Sequence, residues 1–474
     1  MTATDLRESV LGGSVSLVAA RLGGLAFGLV SAMLVSRHLG VSDYGRMSSV
    51  LAFWTIFTLT SEMGVSSVVA AEMGRRGADV PSLWLAGVAV QTGFSVLAAL
   101  AGLGVGLWVF RGQPDMTAGI TAGTLIVFSS MPAVNSIHQV RFRMRVPAAI
   151  GLLQSALTLA LSAAGVMAHL PWRYFITASA VCGIAAVALN FAVAWREARG
   201  RRTAVLASSR VLARAAAVVG LAGIFATLYF KLDTVLVYRI AGARQAGLYG
   251  AAYRLFELIL IVPNAVLVSA TPVAAGLLHR DVPRYRRVSG TVAGVLLWLG
   301  IADSLVATAL GRLGLSTVFG PAFTDATPLL LLLIGGAMAR HLSIWVGTLL
   351  IATGRRTRFL CIAAVSACVA ITADLLLIPV LAARGAAMVT GGIETLVLVA
   401  DWVALDRCHR PEIPARALIP LAAALPLWLV AAAVCTRGAA TLPWMGAGAL
   451  PIAAAAVLAW LALRRLGSLP RGAQ

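Results

Sequence analysis

Ten of the charged side chains inside long apolar stretches of this sequence are the residues that could carry chemistry. Four are cations and six are carboxylates: Arg21, Lys231, Arg254, Arg340, Glu62, Asp233, Glu257, Asp303, Asp374 and Glu394. A guanidinium group keeps its charge and offers a planar fork of donors that suits phosphate oxygens. Arg21, Arg254 and Arg340 therefore predict a binding site for a phosphate-bearing anion. Some of the carboxylates must be paired, protonated or hydrated.

Arg21 and Glu62 each lie about ten residues inside a predicted membrane span, at a depth of about 15 Å. We expect these two side chains to face each other. A charge at mid-membrane costs roughly 2.5 to 3.5 kcal/mol on insertion scales, so each retained charge is a candidate functional residue. Substrate binding and a purely structural ion pair both remain open for this pair.

A second group of charges lies in the seventh and eighth predicted spans. Arg254 and Glu257 share one helical face because they are three residues apart. Lys231 and Asp233 are two residues apart and should point in roughly opposite directions. We expect Arg254 to face a cavity, whereas Lys231 could face either the cavity or a neighbouring helix. Glu257 and Lys231 are included with Arg254 among the predicted substrate-binding residues.

Two further carboxylates lie at matching predicted depth in neighbouring spans. Asp374 and Glu394 are each ten residues from Arg384, so they could take part in a proton-coupled step or form structural hydrogen bonds. With Glu62 and Asp233, they are predicted to act in coupling or in structural ion pairs. H⁺ and Na⁺ both remain open as coupling ions. The five cysteines form no CxxC pair and no cluster with histidine, so neither a metal nor a cofactor is predicted.

The elements that must position these charges are membrane-spanning helices. Of the 474 residues, 60% are hydrophobic and 12% are charged, whereas a soluble protein carries about 25% charged residues. Apolar runs long enough to cross a bilayer recur along the chain. The sequence thus predicts an all-α integral membrane protein with about fourteen spans and no separate soluble catalytic domain. They are placed at 11–36, 47–71, 83–110, 117–140, 147–168, 172–195, 213–238, 246–275, 288–311, 325–353, 359–381, 385–405, 417–435 and 442–463.

Arginine content gives the orientation of these spans. Alternate loops hold 25 and 9 of the 38 basic residues, and the remaining 4 lie within spans. Because short cytoplasmic loops retain basic residues, the richer loops and both termini are predicted to be cytoplasmic. The net charge of +20 is therefore distributed between spans, which argues against a nucleic-acid-binding protein.

An internal repeat predicts two similar lobes. The pattern RxxGxxxxG begins at Arg37 and again at Arg239, 202 residues later, each time after the first span of a six-span unit. Because six is even, both units should insert in the same direction. We predict an N-lobe at 1–205 with spans one to six and a C-lobe at 206–410 with spans seven to twelve. Spans thirteen and fourteen then occupy 411–474. Pro263 with Asn264 is a candidate hinge.

Several short motifs resemble bacterial polysaccharide flippases of the multidrug/oligosaccharidyl-lipid/polysaccharide exporter superfamily. The first is the run from Ser36 to Gly45, followed by Glu62-Met63-Gly64-Val65. The others are listed together: Asp233, Gly247-Leu248-Tyr249, Phe319-Gly320-Pro321-Ala322-Phe323, Leu375-Leu376-Leu377-Ile378-Pro379 and Gly385-Ala386-Ala387. The resemblance covers about residues 10 to 410. Relatives often have Asn where this chain has Asp374.

This resemblance implies a MATE-like fold with two pseudo-symmetric six-helix lobes around a cavity that opens alternately to each side. It implies an undecaprenyl-pyrophosphate-linked oligosaccharide as substrate, moved from the cytoplasmic to the periplasmic leaflet of a bacterial cytoplasmic membrane. In the related lipid II flippases, cationic residues of the first and eighth helices line the cavity, and Arg21 and Arg254 stand at those places. Membrane lipids, a polysaccharide polymerase and glycosyltransferases are the expected partners.

Three alternatives remain. A drug/cation antiporter of the same superfamily would use an acidic, aromatic pocket, against which the intramembrane arginines argue. A lipid II flippase would share the pyrophosphate chemistry. A membrane-embedded glycosyltransferase or polymerase would need a large external loop, whereas the longest predicted one runs only from Arg312 to Thr324. We therefore expect a transporter and not an enzyme.

Overall fold

The computed structural model describes residues 3–62, 64–74, 79–141, 143–198 and 205–414. This part of the chain is helical and contains no strand. By its internal contacts the chain divides into two compact units, Met1–Val235 and Leu236–Gln474. The expected lobe boundary at residue 205 lies earlier, at the start of a long helix, so the domain assignment stays a prediction. Predicted spans thirteen and fourteen lie outside the described residues.

The first unit is built from seven helices and most of an eighth. These are α1 Ala3–Glu62, α2 Val65–Met73, α3 Val80–Val109, α4 Pro114–Gly123, α5 Pro132–Val140, α6 Arg145–Met167, α7 Trp172–Glu197 and α8 Val205–Ala241.

The second unit continues from the end of α8. Up to residue 414, where the described residues end, its helices are α9 Ala243–Ile259, α10 Ile261–Leu278, α11 Val282–Gly314, α12 Thr327–Gly335, α13 Ala337–Ala352, α14 Arg356–Leu381 and α15 Ala383–Ala404. A π-helical turn, Leu315–Phe319, and a 3₁₀ turn, Pro321–Ala326, join α11 to α12.

The repeated glycines make the same backbone turn in both units. Gly40 bends α1 with φ 69° and ψ −178°, and Gly242 separates α8 from α9 with φ 87° and ψ 173°. This combination of positive φ and extended ψ is open essentially to glycine alone. The sequence repeat thus corresponds to a structural repeat, and predicted spans one and two lie on either side of the bend in α1.

The fourth predicted span of each unit is an interrupted helix. In the first unit, the 3₁₀ turn Thr124–Ser129 separates α4 from α5, and Gln91 Oε1 accepts a hydrogen bond of 2.9 Å from the Ala133 amide just beyond it. In the second unit, the interruption at Gly336 packs against Gly391, where an added Cβ would lie 2.8 Å from the Gly391 Cα. Close helix approach at paired glycines is typical of membrane proteins.

A second interruption lies at the candidate hinge. Helix α9 ends at Ile259 and α10 begins at Ile261, so the predicted span 246–275 is broken there. Pro263 explains the position, because it lacks an amide hydrogen and its ring would clash with the carbonyl of Ile259. Whether the break acts as a hinge stays a prediction.

Each unit has its own packed core with a buried tryptophan that joins two helices. The Trp84 indole donates to the Val134 carbonyl at 3.1 Å in the first unit, and the Trp345 indole donates to the Ser289 carbonyl at 3.1 Å in the second. Both side chains are fully buried, so each polar group has the partner that burial requires.

Ten segments of the described residues are long and apolar enough to cross a membrane. One of them, Leu22–Met73, contains the bend at Gly40 and overlaps predicted spans one and two. Nine others overlap predicted spans three to six and eight to twelve. Span seven falls on α8. The total of about fourteen spans stays a prediction.

Candidate functional site

Arg254 and Glu257 form an exposed ion pair on α9, inside the apolar segment Ala243–Leu278. The Arg254 Nη1 lies 3.3 Å from Glu257 Oε2, and the two side chains are 50% and 31% exposed. The predicted shared face is confirmed. A half-exposed guanidinium inside an apolar segment is available to a ligand, because the rest of its unit does not cover it.

Arg340 is held in a buried ion pair instead. Its Nη1 lies 3.2 Å from Glu394 Oε1, with side-chain exposures of 17% and 1%. The Ser343 hydroxyl donates to Glu394 Oε2 at 3.2 Å. Arg340 is predicted to bind substrate, and Glu394 is predicted to lie at the same depth as Asp374. In the structure, Arg340 on α13 pairs with Glu394 on α15. The substrate role of Arg340 stays a prediction that this geometry does not favour.

Of the other predicted charges, Lys231 and Asp233 lie on α8 and Asp374 lies on α14. Asp233 is 1% exposed and its Oδ1 accepts hydrogen bonds from the Thr234 amide at 2.5 Å and the Thr234 hydroxyl at 3.2 Å. Lys231, two residues earlier, is half-buried. Asp374 is buried on α14 with 3% exposure. The directions in which Lys231 and Asp233 point, and the roles of both, stay predictions.

The predicted contact between Arg21 and Glu62 stays a prediction, because the Arg21 side chain lies outside the described residues. Glu62 ends α1, and its Oε1 accepts a hydrogen bond of 2.9 Å from the Ser66 hydroxyl on α2. Both the substrate role and the structural role of this pair remain predictions.

Sequence reasoning missed a carboxylate in the first unit that has two arginines and a histidine as neighbours. Glu197, at the end of α7, lies 3.6 Å from His138 Nδ1, 3.6 Å from Arg141 Nη1 and 3.3 Å from Arg143 Nη1. The two arginines were counted only as loop charges. A signal was present in the polar residues that crowd the end of the fourth span, His138 among them.

A second missed pair lies in the second unit. His341 on α13 is fully buried, and its Nε2 lies 3.6 Å from Asp303 Oδ2 on α11. Asp303 is 21% exposed at its side chain. The two residues are 38 positions apart. Their contact depends on how α11 and α13 are rotated about their own axes, which the sequence does not show.

Comparisons with known proteins give the family and the fold of this chain. The model of the polysaccharide biosynthesis protein family matches residues 10–277. The chain belongs to this family. Comparison with curated protein sequences gives no match.

Several solved structures of membrane transporters share the fold of this family member. The lipid II flippase MurJ in an inward closed conformation has a TM-score of 0.68 at 10% identity, covering 96% of this chain and 99% of MurJ. An inward-facing multidrug resistance MATE family transporter has a TM-score of 0.63 at 13% identity, with 80% and 93% coverage. A superfamily transporter from Pyrococcus furiosus, described as having a binding pocket of reversed polarity, has a TM-score of 0.60 at 12% identity, with 84% and 94% coverage.

Together with the ten apolar segments, these findings establish a multi-pass membrane protein of the polysaccharide biosynthesis family with a MATE-like fold. The identities are low, so the solved structures give the fold and leave the substrate open.

Proposed function

We propose that this polysaccharide biosynthesis family member is a flippase for an undecaprenyl-pyrophosphate-linked oligosaccharide. It moves the sugar-bearing headgroup from the cytoplasmic to the outer leaflet of a bacterial cytoplasmic membrane by alternating access. Two six-helix lobes, 1–205 and 206–410, rock around the headgroup, and spans thirteen and fourteen follow in 411–474. Both termini are cytoplasmic. The protein moves its substrate without chemical change, coupled to H⁺ or Na⁺ or to the substrate gradient alone.

The half-exposed guanidinium of Arg254 inside an apolar segment is the observation that carries this proposal. A pyrophosphate binds best to donors that stay charged, and the planar fork of arginine matches its oxygens. Glu257 holds the guanidinium at 3.3 Å when no phosphate is bound. An arriving pyrophosphate, with more charge and more acceptor oxygens, displaces this carboxylate.

The test compares Arg254→Ala and Arg254→Lys with a matched control on the same helix. Arg244→Ala is that control, because Arg244 is also an exposed arginine of α9 in an ion pair, 2.9 Å from Asp325, but lies at the very start of the helix. At equal membrane abundance we expect Arg254→Ala to reduce surface polymer at least tenfold and Arg254→Lys to reduce it less. The Arg244→Ala protein should keep near-normal export. Undiminished polymer in Arg254→Ala cells would refute the assigned role.

A lipid II flippase is the second candidate, favoured by the TM-score of 0.68 to MurJ over nearly the whole chain. Both substrates carry a pyrophosphate, so the Arg254 variants do not separate them. Expression in cells depleted of their own lipid II flippase does. Restored growth would support lipid II transport, whereas restored surface polysaccharide in a flippase-deficient strain would support the oligosaccharide. Ion-dependent export of cationic drugs, with neither rescue, would point to an antiporter.

A further inference from the structure

We propose that each unit contains a proton-binding site, formed by a buried histidine and a carboxylate on a neighbouring helix. The two sites are His138 with Glu197 and His341 with Asp303. In both, a ring nitrogen lies 3.6 Å from a carboxylate oxygen, and the histidine side chain is 0% exposed.

The two histidines occupy corresponding positions in the repeat. They are 203 residues apart, against 202 for the glycine motif. Each lies beyond the interruption of the fourth span of its unit, His138 in α5 and His341 in α13. The partner carboxylates lie on helices that do not correspond, Glu197 at the end of α7 and Asp303 on α11, so the correspondence concerns the histidines alone. A histidine at the same place in both repeats points to a role beyond packing, because ionisable residues are rare and costly within spans.

The local geometry leaves both imidazoles with unmet hydrogen-bonding capacity. Neither ring nitrogen of His138 or His341 has a hydrogen-bond partner among the described residues, and the same is true of Glu197 Oε2 and Asp303 Oδ2. Backbone groups of Asn190 and Leu296 face the two rings without meeting hydrogen-bond geometry. Buried polar atoms in this state are normally satisfied by a partner or by water. A proton shared between imidazole and carboxylate satisfies one atom on each side after an approach of a few tenths of an ångström.

The carboxylates give the proton a route to the buried rings. The Glu197 and Asp303 side chains are 13% and 21% exposed, whereas both rings are fully buried. A proton taken from water therefore meets the carboxylate edge first. Its uptake changes the net charge of the His341–Asp303 pair from −1 to zero, and it creates a hydrogen bond between α13 and α11. The same step in the first unit links α5 to α7.

The surrounding charges differ between the two sites. Glu197 also faces Arg141 and Arg143, which stabilise its ionised form and disfavour a second cation beside it. His341 is preceded by Arg340, whose charge is offset by Glu394 on α15. Asp303 pairs with no arginine or lysine among the described residues. We expect the second-unit site to depend more strongly on its histidine.

The test is a pH titration of the histidine signals themselves. The full chain, labelled with ¹⁵N-histidine and reconstituted in lipid, contains six imidazoles. His138→Gln and His341→Gln assign the two relevant resonances by their disappearance. We expect both resonances to shift as the pH is lowered, because each imidazole gains a proton beside its carboxylate. His279 and His169, which are exposed, serve as internal references.

The near-isosteric variants Glu197→Gln and Asp303→Asn decide the outcome. Glu197→Gln should abolish or strongly move the response of His138 and leave that of His341 unchanged, and Asp303→Asn should do the reverse. A resonance that does not respond to pH, or that responds identically after loss of its carboxylate, overturns the proposal for that site. The measurement involves no transport, so failure of the proposed flippase function would leave this result standing, and the reverse also holds.

Discussion

In both units, two arginines after the fourth span pair with one carboxylate near the end of the sixth span, an arrangement called here the outer clamp. The two units differ in the charges that they bury. In the first, Arg141 and Arg143, after the fourth span, hold Glu197 at the end of α7. In the second, Arg355 and Arg358, after the fourth span, hold Asp406 just beyond α15.

The second unit also has a charge pair inside the helix packing. Arg340 and Glu394 join its fourth and sixth spans with exposures of 17% and 1%. In the first unit, the side chain that reaches the sixth span from within the fourth is the histidine His138. If an outer clamp is broken, water can hydrate its exposed charges, whereas water cannot readily reach the charges of a pair inside the helix packing. The comparison indicates that the second unit depends more on exact charge pairing for its stability.

Breaking the inner pair should have the largest effect. Glu394→Leu leaves the Arg340 guanidinium buried without its carboxylate, which costs about 3–5 kcal/mol in soluble proteins. Thermal unfolding of the purified protein in detergent should show a large loss of stability. Glu197→Gln in the first unit should cost about 1 kcal/mol or less, because its exposed arginines regain water.

The double variant Arg340→Met with Glu394→Leu is the control for that comparison. Removing both charges should recover much of the lost stability, since well-packed apolar replacements of a buried ion pair are often neutral. Equal losses for Glu394→Leu and Glu197→Gln would contradict the proposed difference between the units.

The inner pair also marks the limit of what the sequence could predict. Hydropathy located the helices, and the recurrence of RxxGxxxxG after 202 residues predicted a repeat. The structure adds the reason for its first glycine, which makes a turn that is open essentially to glycine alone. The position of Arg340 within a span was predictable, but its partner was not. The two residues are 54 positions apart, and their contact depends on how α13 and α15 rotate against each other.

The interrupted fourth span was also only partly predictable. Asn135 and His138 weakened the hydropathy signal at its end, yet the 3₁₀ turn itself, Thr124–Ser129, is mostly apolar and carries no marker in its sequence. The role of His138 required the neighbouring helix α7 to be in place.

The repeated glycine turns should be equally sensitive in the two units. Gly40→Val and Gly242→Val force a β-branched residue to positive φ with extended ψ, at a cost of roughly 1–3 kcal/mol each. Membrane abundance and thermal unfolding should show similar losses for both. Gly28→Ala is the control, because an added Cβ at this helical glycine meets nothing within 4 Å. If only one of the two valine variants lost stability, the two glycine turns would contribute unequally to the stability of their units.

The smallest expected effect concerns the outer clamp of the second unit, the pairs of Arg355 and Arg358 with Asp406. Asp406 lies outside the apolar segments. Hydrogen bonds from Arg355, followed by its charge and that of Arg358, hold the pKa of the Asp406 carboxyl below its ordinary value. A carboxyl whose pKa is lowered in the folded state adds stability above its unfolded pKa of about 3.9 and loses it as the pH falls through the folded value. The protein should therefore be slightly more stable than Asp406→Asn at pH 7, and this difference should vanish at strongly acid pH.

Arg355→Met sharpens this last comparison, because Arg355 is the main cause of the lowered pKa. In that background the stability that Asp406→Asn removes at pH 7 should shrink, leaving the weaker contribution of Arg358 at 3.4 Å. The thermal midpoints of the unaltered protein, the two single variants and the double variant at two pH values measure the effect. If the difference survives at acid pH, or is unchanged by Arg355→Met, Asp406 stabilises the end of α15 by a route other than its charge.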